Sequence, residues 1–378
     1  MGALDQPKTT YTDTTPQLRA ISDIINIIDP RDTPVIAALG GLDSARSKFK
    51  INQDHTKIEL LEDELDSMTG ACAESTTIAT DDTSFSVADA SVFQDGHVIK
   101  IDDEYMVVKS ADTDANTITV YSRSYGGTNA THATNASIEI VGMARLEGDD
   151  ADYGPIMDIT APYNYTSTFQ KAFKISGTQQ AIDQLGGISD EYEYQAAKTV
   201  PALLRLVEKS IFHGVRSAGS ATAPRSMGGL LTFITDNSVN AGGAITKTDV
   251  DDAVEATYLD GGNPDMIFCN PSVGRDLKDA IDNSSYVKLA YENSQIGMQP
   301  LQRFVTQYGA LQIVMSRFCP VSKAFVVDSR KVGLYSLRPF GWHDIAVSGD
   351  SKKGEVIGEF SMLVANDKAH AWIYGVTS

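Results

Sequence analysis

The hydrophobic pattern changes character along the 378-residue chain. Leu18, Ile21, Ile24, Ile25 and Ile28 recur at helical spacing behind Thr15 and Pro16, which predicts a capped first helix over about 16–28, stopped by Pro30. Asp32-Thr-Pro34 then opens a short apolar segment, Val35 to Leu39, closed by Gly40 and Gly41. Between Ser44 and Ser176 the helical period is lost. Short alternating runs replace it at Thr83 to Val87, His97 to Ile101, Glu104 to Val108, Thr117 to Tyr121 and Ser137 to Val141, each bounded by Asp, Asn or Gly. They predict a small all-β barrel or sandwich over 74–143. The flanks, Lys48 to Asp66 and Arg145 to Gly154, are extended and suited to pair with each other, which places the β-unit near the tip of a long hairpin. Such an excursion cannot satisfy its own backbone and needs partners, in its own inserted domain or in neighbouring subunits.

The helical period returns with Ser189, expected to cap a helix of about 25 residues that Gly214 ends, with Asp190 and Glu191 favouring its dipole. Tyr192, Ala196, Val200, Leu203, Val207 and Ile211 fall on one face, the expected core side, and Lys198, Arg205, Lys209 and Arg216 on the opposite one. Pro201 inside the helix is expected to kink it. Gly214 to Gly229 reads as a small-residue loop. After it come a helix from Asp249 to Leu259, a strand from Met266 to Cys269 and a helix opened by Asn270-Pro271 and ending near Ile281. Strands follow at Leu311 to Ser316, Ala324 to Asp328, Gly333 to Leu337, Val356 to Val364 and Ala369 to Tyr374. The class is α+β.

Composition narrows the function. An apolar content of 42% is that of a folded chain with a sizeable core, divided at this length into two or three domains. No apolar run approaches the roughly 20 residues of a membrane span, the first sixteen residues hold no signal-peptide core, and Gln6 stands where myristoylation wants Ser or Thr; a cytoplasmic protein is expected. The formal charge of −19, with 11 acidic against 3 basic residues in 74–143, disfavours gripping nucleic acid as a main task.

Candidate chemistry is sparse. Cys72, Cys269 and Cys319 are too widely spaced for a zinc site or a disulfide framework, and Cys269 reads as a buried, inert thiol. The six histidines (His55, His97, His132, His213, His343 and His370) are scattered and read as structural, and no phosphate loop, dinucleotide fingerprint or nucleophile elbow occurs. Asp112-Thr-Asp114-Ala-Asn116 begins like a calcium loop but continues with Thr117 and Arg123 at the wrong positions, so a hairpin turn is the better reading. No catalytic, cofactor-binding or metal-binding residues are expected, and the chain reads as no enzyme. The basic stripe of the long helix has three readings: a solvated face, a contact with the acidic segment Glu59, Glu62, Asp63, Glu64 and Asp66 of another subunit, or a weak, salt-sensitive contact with packaged nucleic acid.

The order of parts, with Ile28-Asp-Pro30-Arg-Asp-Thr-Pro34, Arg145-Leu-Glu-Gly148-Asp and Ile175-Ser-Gly-Thr178-Gln, resembles tailed-phage major capsid proteins of the Hong Kong 97 type. The closing phrases, Phe304 to Pro320, Ala324 to Asp328, Val332 to Arg338 and Glu355 to Asn366, carry the same resemblance over about 300 residues, all but the β-unit. It implies an N-terminal arm (1–43), an extended E-loop (44–73 and 144–175) bearing the insert (74–143), a peripheral domain with the spine helix (176–245 and 331–378) and an axial domain (246–330). The implied function is self-assembly into hexamers and pentamers of an icosahedral shell enclosing double-stranded DNA, in a virion assembled in the bacterial host cytoplasm. Portal, scaffolding and decoration proteins stand as further partners, and a membrane does not. The short stretch before the first helix suggests no cleaved scaffold domain. No Asn partner or catalytic acid is marked for Lys48, Lys50 or Lys57, so no isopeptide crosslink is expected. An encapsulin-type compartment shell and a phage tail-tube protein are the rival readings.

Overall fold

The computed structural model describes residues 32–42, 55–148, 159–182, 190–282, 303–347 and 349–377. The expected helix over 16–28 lies outside these, as does most of the return flank. The chain divides into two compact units, one formed by Met1–Leu60 with Pro162–Ser378 and the other by Leu61–Ala161.

The first unit opens with α1 (Pro34–Ala38), which has proline in its first turn as expected, and β1 (Lys57–Glu59). Val35, Ile36 and Leu39 are buried and join the main core of this unit.

The second unit holds β2 (Thr69–Ala71), β3 (Ser84–Ser86), β4 (His97–Ile101), β5 (Glu104–Asp112), β6 (Thr117–Val120) and β7 (Ser137–Met143), in the antiparallel order β2-β7-β4-β5-β6-β3. Its two outer strands meet. Cys72 bridges Val87, with Ala73 N–H donating to Ser86 O and Ala88 N–H to Ala71 O, both at 2.9 Å. The sheet thus closes into a barrel, which removes free edges. Alternate residues fill it: Ile99, Ile101, Met106, Val108, Ile118, Val120 and Ile138 are all at most 2% exposed. Each such side chain contributes about 1.5–3 kcal/mol by burial. The barrel draws in Thr69–Ala71 ahead of residue 74, a run with no apolar alternation to announce it. Asp112 Oδ1 accepts the N–H groups of Asp114 and Ala115 at 3.0 Å each, and Asn116 takes φ +50°, so the calcium-like phrase is the β5–β6 hairpin turn.

The first unit resumes with β8 (Tyr163–Tyr165), which pairs with β1, then β9 (Ser167–Ser176), α2 (Gly177–Ala181), α3 (Glu191–His213), α4 (Leu230–Phe233), β10 (Asn237–Asn240), α5 (Lys247–Leu259), β11 (Met266–Cys269) and α6 (Pro271–Asp282). It ends with β12 (Arg303–Val305), β13 (Ala310–Met315), β14 (Ala324–Val327), β15 (Val332–Asp344), β16 (Ser351–Val364) and β17 (Ala371–Tyr374). One mixed sheet runs β10-β17-β14-β11-β13-β12, and a second, antiparallel, runs β15-β16-β9. The first sheet is covered on both faces, which is why β11 is apolar at every position. Ile267 and Val326 pack with Val250 and Val254 of α5 and with Val273 and Leu277 of α6, while Phe268 and Phe325 face Phe212 of α3.

Several local expectations change. Asp190 caps α3, its carboxylate accepting Tyr192 N–H at 2.7 Å, where Ser189 was expected. Pro201 lies inside α3, which continues to His213. Helix α5 starts at Lys247, two residues ahead of the expected Asp249, and Thr246 caps it in a reciprocal capping box with Asp249. On the expected core face of α3, Tyr192, Leu203, Val207 and Ile211 are buried and Ala196 is half-buried, but Val200 is 37% exposed. Thr199 turns to the protein in its place, because the first half of α3 rests on the sheet along a narrow stripe. Lower down the covering is wider and buries Glu208 and Phe212 as well.

Candidate assembly surfaces

Helix α3 is fixed at both ends. At its start Tyr192 packs on Phe173 and Trp342, with ring centroids 5.2 and 5.3 Å away, and its hydroxyl donates to Asp344. Gly354 makes this possible, since a Cβ there would lie 2.5 Å from the Tyr192 hydroxyl and 2.8 Å from the Trp342 ring. Near its end Glu208 is fully buried and accepts Ser316 Oγ at 2.6 Å. Burial raises the Glu208 pKa, opposed by Ser316 and by the backbone N–H groups of Val35 and Ile36, so one carboxyl ties α3, the residue after β13 and α1 together.

Beyond the helix, Gly214 lies so close to Met227 O and Gly229 N that a Cβ would fall within 2.6 and 2.9 Å of them. The chain turns away there. Arg216 is therefore off the helix face assigned to it; its guanidinium stacks on Tyr163 at 4.4 Å and donates to Tyr163 O at 3.0 Å. The rest of the loop is tied down by Glu359, 3% exposed, which accepts from Arg225, Thr166 and Arg338. Burial pushes its carboxyl up, but these donors outweigh burial and hold it below the ordinary value. Thr168, Gly219, Ser220 and Arg225 line an open recess of about 330 Å³ beside it.

Of the basic stripe, Lys198 and Lys209 are exposed and Arg205 is half-buried. Lys198 lies over the Tyr194 ring at 5.1 Å. Of the acidic segment, Glu59 pairs with Lys57, Glu62 is half-buried beside its bridge to Thr160, and Asp63, Glu64 and Asp66 are exposed. The sequence reading missed what lies between these acids: Leu61 is 74%, Leu65 95% and Met68 72% exposed. The surrounding acids hid them, because Leu61, Leu65 and Met68 are single apolar residues separated by Glu62-Asp63-Glu64 and Asp66-Ser67, with no strand alternation to mark a face. Such a segment gains from being covered, at about 1.5–3 kcal/mol for each large apolar side chain.

The cysteines and histidines are scattered through the described residues. No group of three or more His, Cys, Asp or Glu is placed to hold a metal, and no helix there is long and apolar enough to cross a membrane. Burial pushes the Cys72 thiol up to about 11 and Cys269 to about 12, and raises Cys319, so all three are poor nucleophiles. His370 is buried and neutral, its pKa lowered to about 4 by burial; Nδ1 accepts Asp328 N–H at 3.2 Å and Nε2 faces Ala365 O at 3.2 Å.

In the second unit, Glu104 is buried and accepts Arg123 Nε and Nη2 at 2.8 Å each, Ser124 N at 3.0 Å, Ala130 N at 2.9 Å and faces His132 Nε2 at 2.9 Å. Arg123 also donates to the carbonyls of Ala79, Asp82 and Ala130, and His132 Nδ1 lies 2.8 Å from Asp102. Burial raises the Glu104 carboxyl, yet Arg123, the amides and His132 outweigh it and hold the pKa at about 2. The cluster ties the loops around Ala79, Asp82, Ser124 and Ala130 to β5 through Glu104 and Arg123.

Among solved structures the chain is similar to one from Mycobacterium phage Bobi (11% identity, 98% of this chain and 99% of that one, TM-score 0.49) and to the capsid of cyanophage P-SCSP1u (9%, 63% and 80%, 0.45). It is also similar to the SrpI encapsulin complex of Synechococcus elongatus (14%, 58% and 78%, 0.41). At this level of similarity the likenesses carry no argument about function. No curated protein matches the chain. A sequence profile described as SU10 major capsid protein matches residues 8–377, spanning both compact units, and the chain therefore belongs to the SU10 major capsid protein family.

Proposed function

We propose that this capsid protein assembles through hexamers and pentamers into an icosahedral shell enclosing the double-stranded DNA of a tailed phage, put together in the host cytoplasm and acting by contact alone, without catalysis. The family match over residues 8–377 carries this reading. The arrangement of parts supports it. Residues 1–43 act as an N-terminal arm, 44–73 with 144–175 as the extended loop carrying the barrel, 176–245 with 331–378 as the peripheral domain and 246–330 as the axial domain. Asp63, Glu64 and Asp66, with Leu61 and Leu65, lie against exposed basic residues such as Lys198 and Lys209 of a neighbouring subunit. Individually weak contacts of this kind gain strength by repetition around closed symmetry.

Negative-stain electron microscopy of the purified protein, with measurement of nucleic-acid content, tests the reading. Closed shells with five- and six-fold capsomers are expected. Small enzyme-loaded shells would favour a compartment, and open helical tubes a tail component.

A further inference from the structure

The charge of this protein is concentrated in one of its units. Residues 61–161 carry 20 acidic against 4 basic side chains, a net charge of −16 out of the −19 of the whole chain. On the outer face of this acidic barrel the strand register assembles an aromatic platform. Val98 pairs with Val107, and Tyr121 N–H, just past β6, donates to Val107 O at 2.9 Å, so Tyr121, Val107 and Val98 form one row beside and across β5 and β4. Tyr125 N–H donates to Tyr105 O at 2.8 Å, Tyr105 pairs with Lys100 and Lys100 with Glu139, which makes the next row. Tyr105, Tyr121 and Tyr125 are 39%, 44% and 51% exposed. Val107, in the same row as Tyr121, is only 5% exposed.

Tyrosine offers a rigid contact area at low entropic cost and is enriched where proteins recognise proteins. A second copy of the same barrel is a poor occupant, since residues 74–143 alone carry 11 acidic against 3 basic side chains and two copies would repel each other. A cationic partner is attracted by the same field, and arginine answers both features at once: it neutralises the acids and its planar guanidinium stacks on tyrosine faces. The molecule already uses this chemistry, with Arg216 over Tyr163 at 4.4 Å and Lys100 within 5.9 Å of Tyr105 itself.

We infer that the Tyr105–Tyr121–Tyr125 face of the barrel is a docking surface for a basic, arginine-bearing protein that is not another copy of this chain. Hydroxyl-radical footprinting of the full-length protein, before and after assembly, tests this with deca-arginine and deca-lysine as probes. The three tyrosines are expected to stay reactive in assembled particles and to be protected by deca-arginine more than by deca-lysine at equal charge, while Tyr258, 57% exposed in the other unit, is unaffected. The double substitution Tyr105→Ser with Tyr125→Ser is expected to weaken deca-arginine binding by roughly tenfold and deca-lysine binding far less. Protection on assembly alone would assign the face to a neighbouring copy and overturn the inference. So would equal protection by the two probes, or unchanged deca-arginine binding by the double variant.

Discussion

Replacing Arg123 with Met removes the cation from the buried cluster of the barrel while keeping much of the side-chain volume. Glu104 then loses two charge-assisted bonds of 2.8 Å, and the carbonyls of Asp82 and Ala130 lose donors at 3.1 and 2.7 Å. Removing one partner of a buried pair costs about 3–5 kcal/mol, because the remaining charge keeps its desolvation penalty without compensation. Against a typical domain stability of about 5–15 kcal/mol, the barrel should stay folded but open far more often. Hydrogen exchange of the full-length protein, read in peptides covering 79–132 with β11 and α5 as internal references, should show barrel opening faster by roughly two to three orders of magnitude and the references unchanged. The acid limb gives a second reading. The Glu104 pKa of about 2 lies below the ordinary glutamate value of 4.5, so its contribution of about 3 kcal/mol is complete above pH 4.5 and lost as pH falls towards 2. The variant should lose less over that window. Opening rates within tenfold of wild type, or an unchanged acid limb, would refute the argument that Arg123 and Glu104 hold these loops.

Three further outcomes are expected. Gly354→Ala should destabilise the first unit by about 1–3 kcal/mol by forcing apart Tyr192 and Trp342, seen as a lower urea midpoint by tryptophan fluorescence, which reports that unit because Trp342 and Trp372 both lie in it. Burial lowers the His370 pKa to about 4, so its contribution of about 3 kcal/mol is present above pH 6.5 and lost as pH falls towards 4; a His370→Gln variant should show a smaller loss in the same fluorescence assay across that window. Leu61→Ser with Leu65→Ser should change monomer stability by less than about 0.5 kcal/mol, since both side chains are largely exposed, yet reduce shell yield by light scattering; unchanged yield would remove these residues from the assembly contacts.

The sequence by itself determined whatever rests on local periodicity and end chemistry. The strand at Met266–Cys269 and the strand at His97–Ile101 fall where alternation and apolar runs put them, because a pleated backbone buried on one or both faces leaves that pattern. Helix ends were legible to within a residue or two, where Asp190 and Thr246 cap. The concentration of acid in the excursion after Ser44 was likewise open to reading, as was membership of a capsid family through the order of its parts. Tertiary structure alone decided which side of each element is covered. Val200 has the helical phase of a core residue but emerges, and Arg216 leaves the helix face because Gly214 turns the chain away. The closure of the barrel at Cys72 and Val87, the cluster that gathers Glu104, Arg123 and His132, and the tyrosine platform all depend on register between strands distant in the chain. The physical reason is the same in each case: a side chain's phase is set within a turn or two of its neighbours, whereas what covers it is set by surfaces that come together only when the whole chain folds.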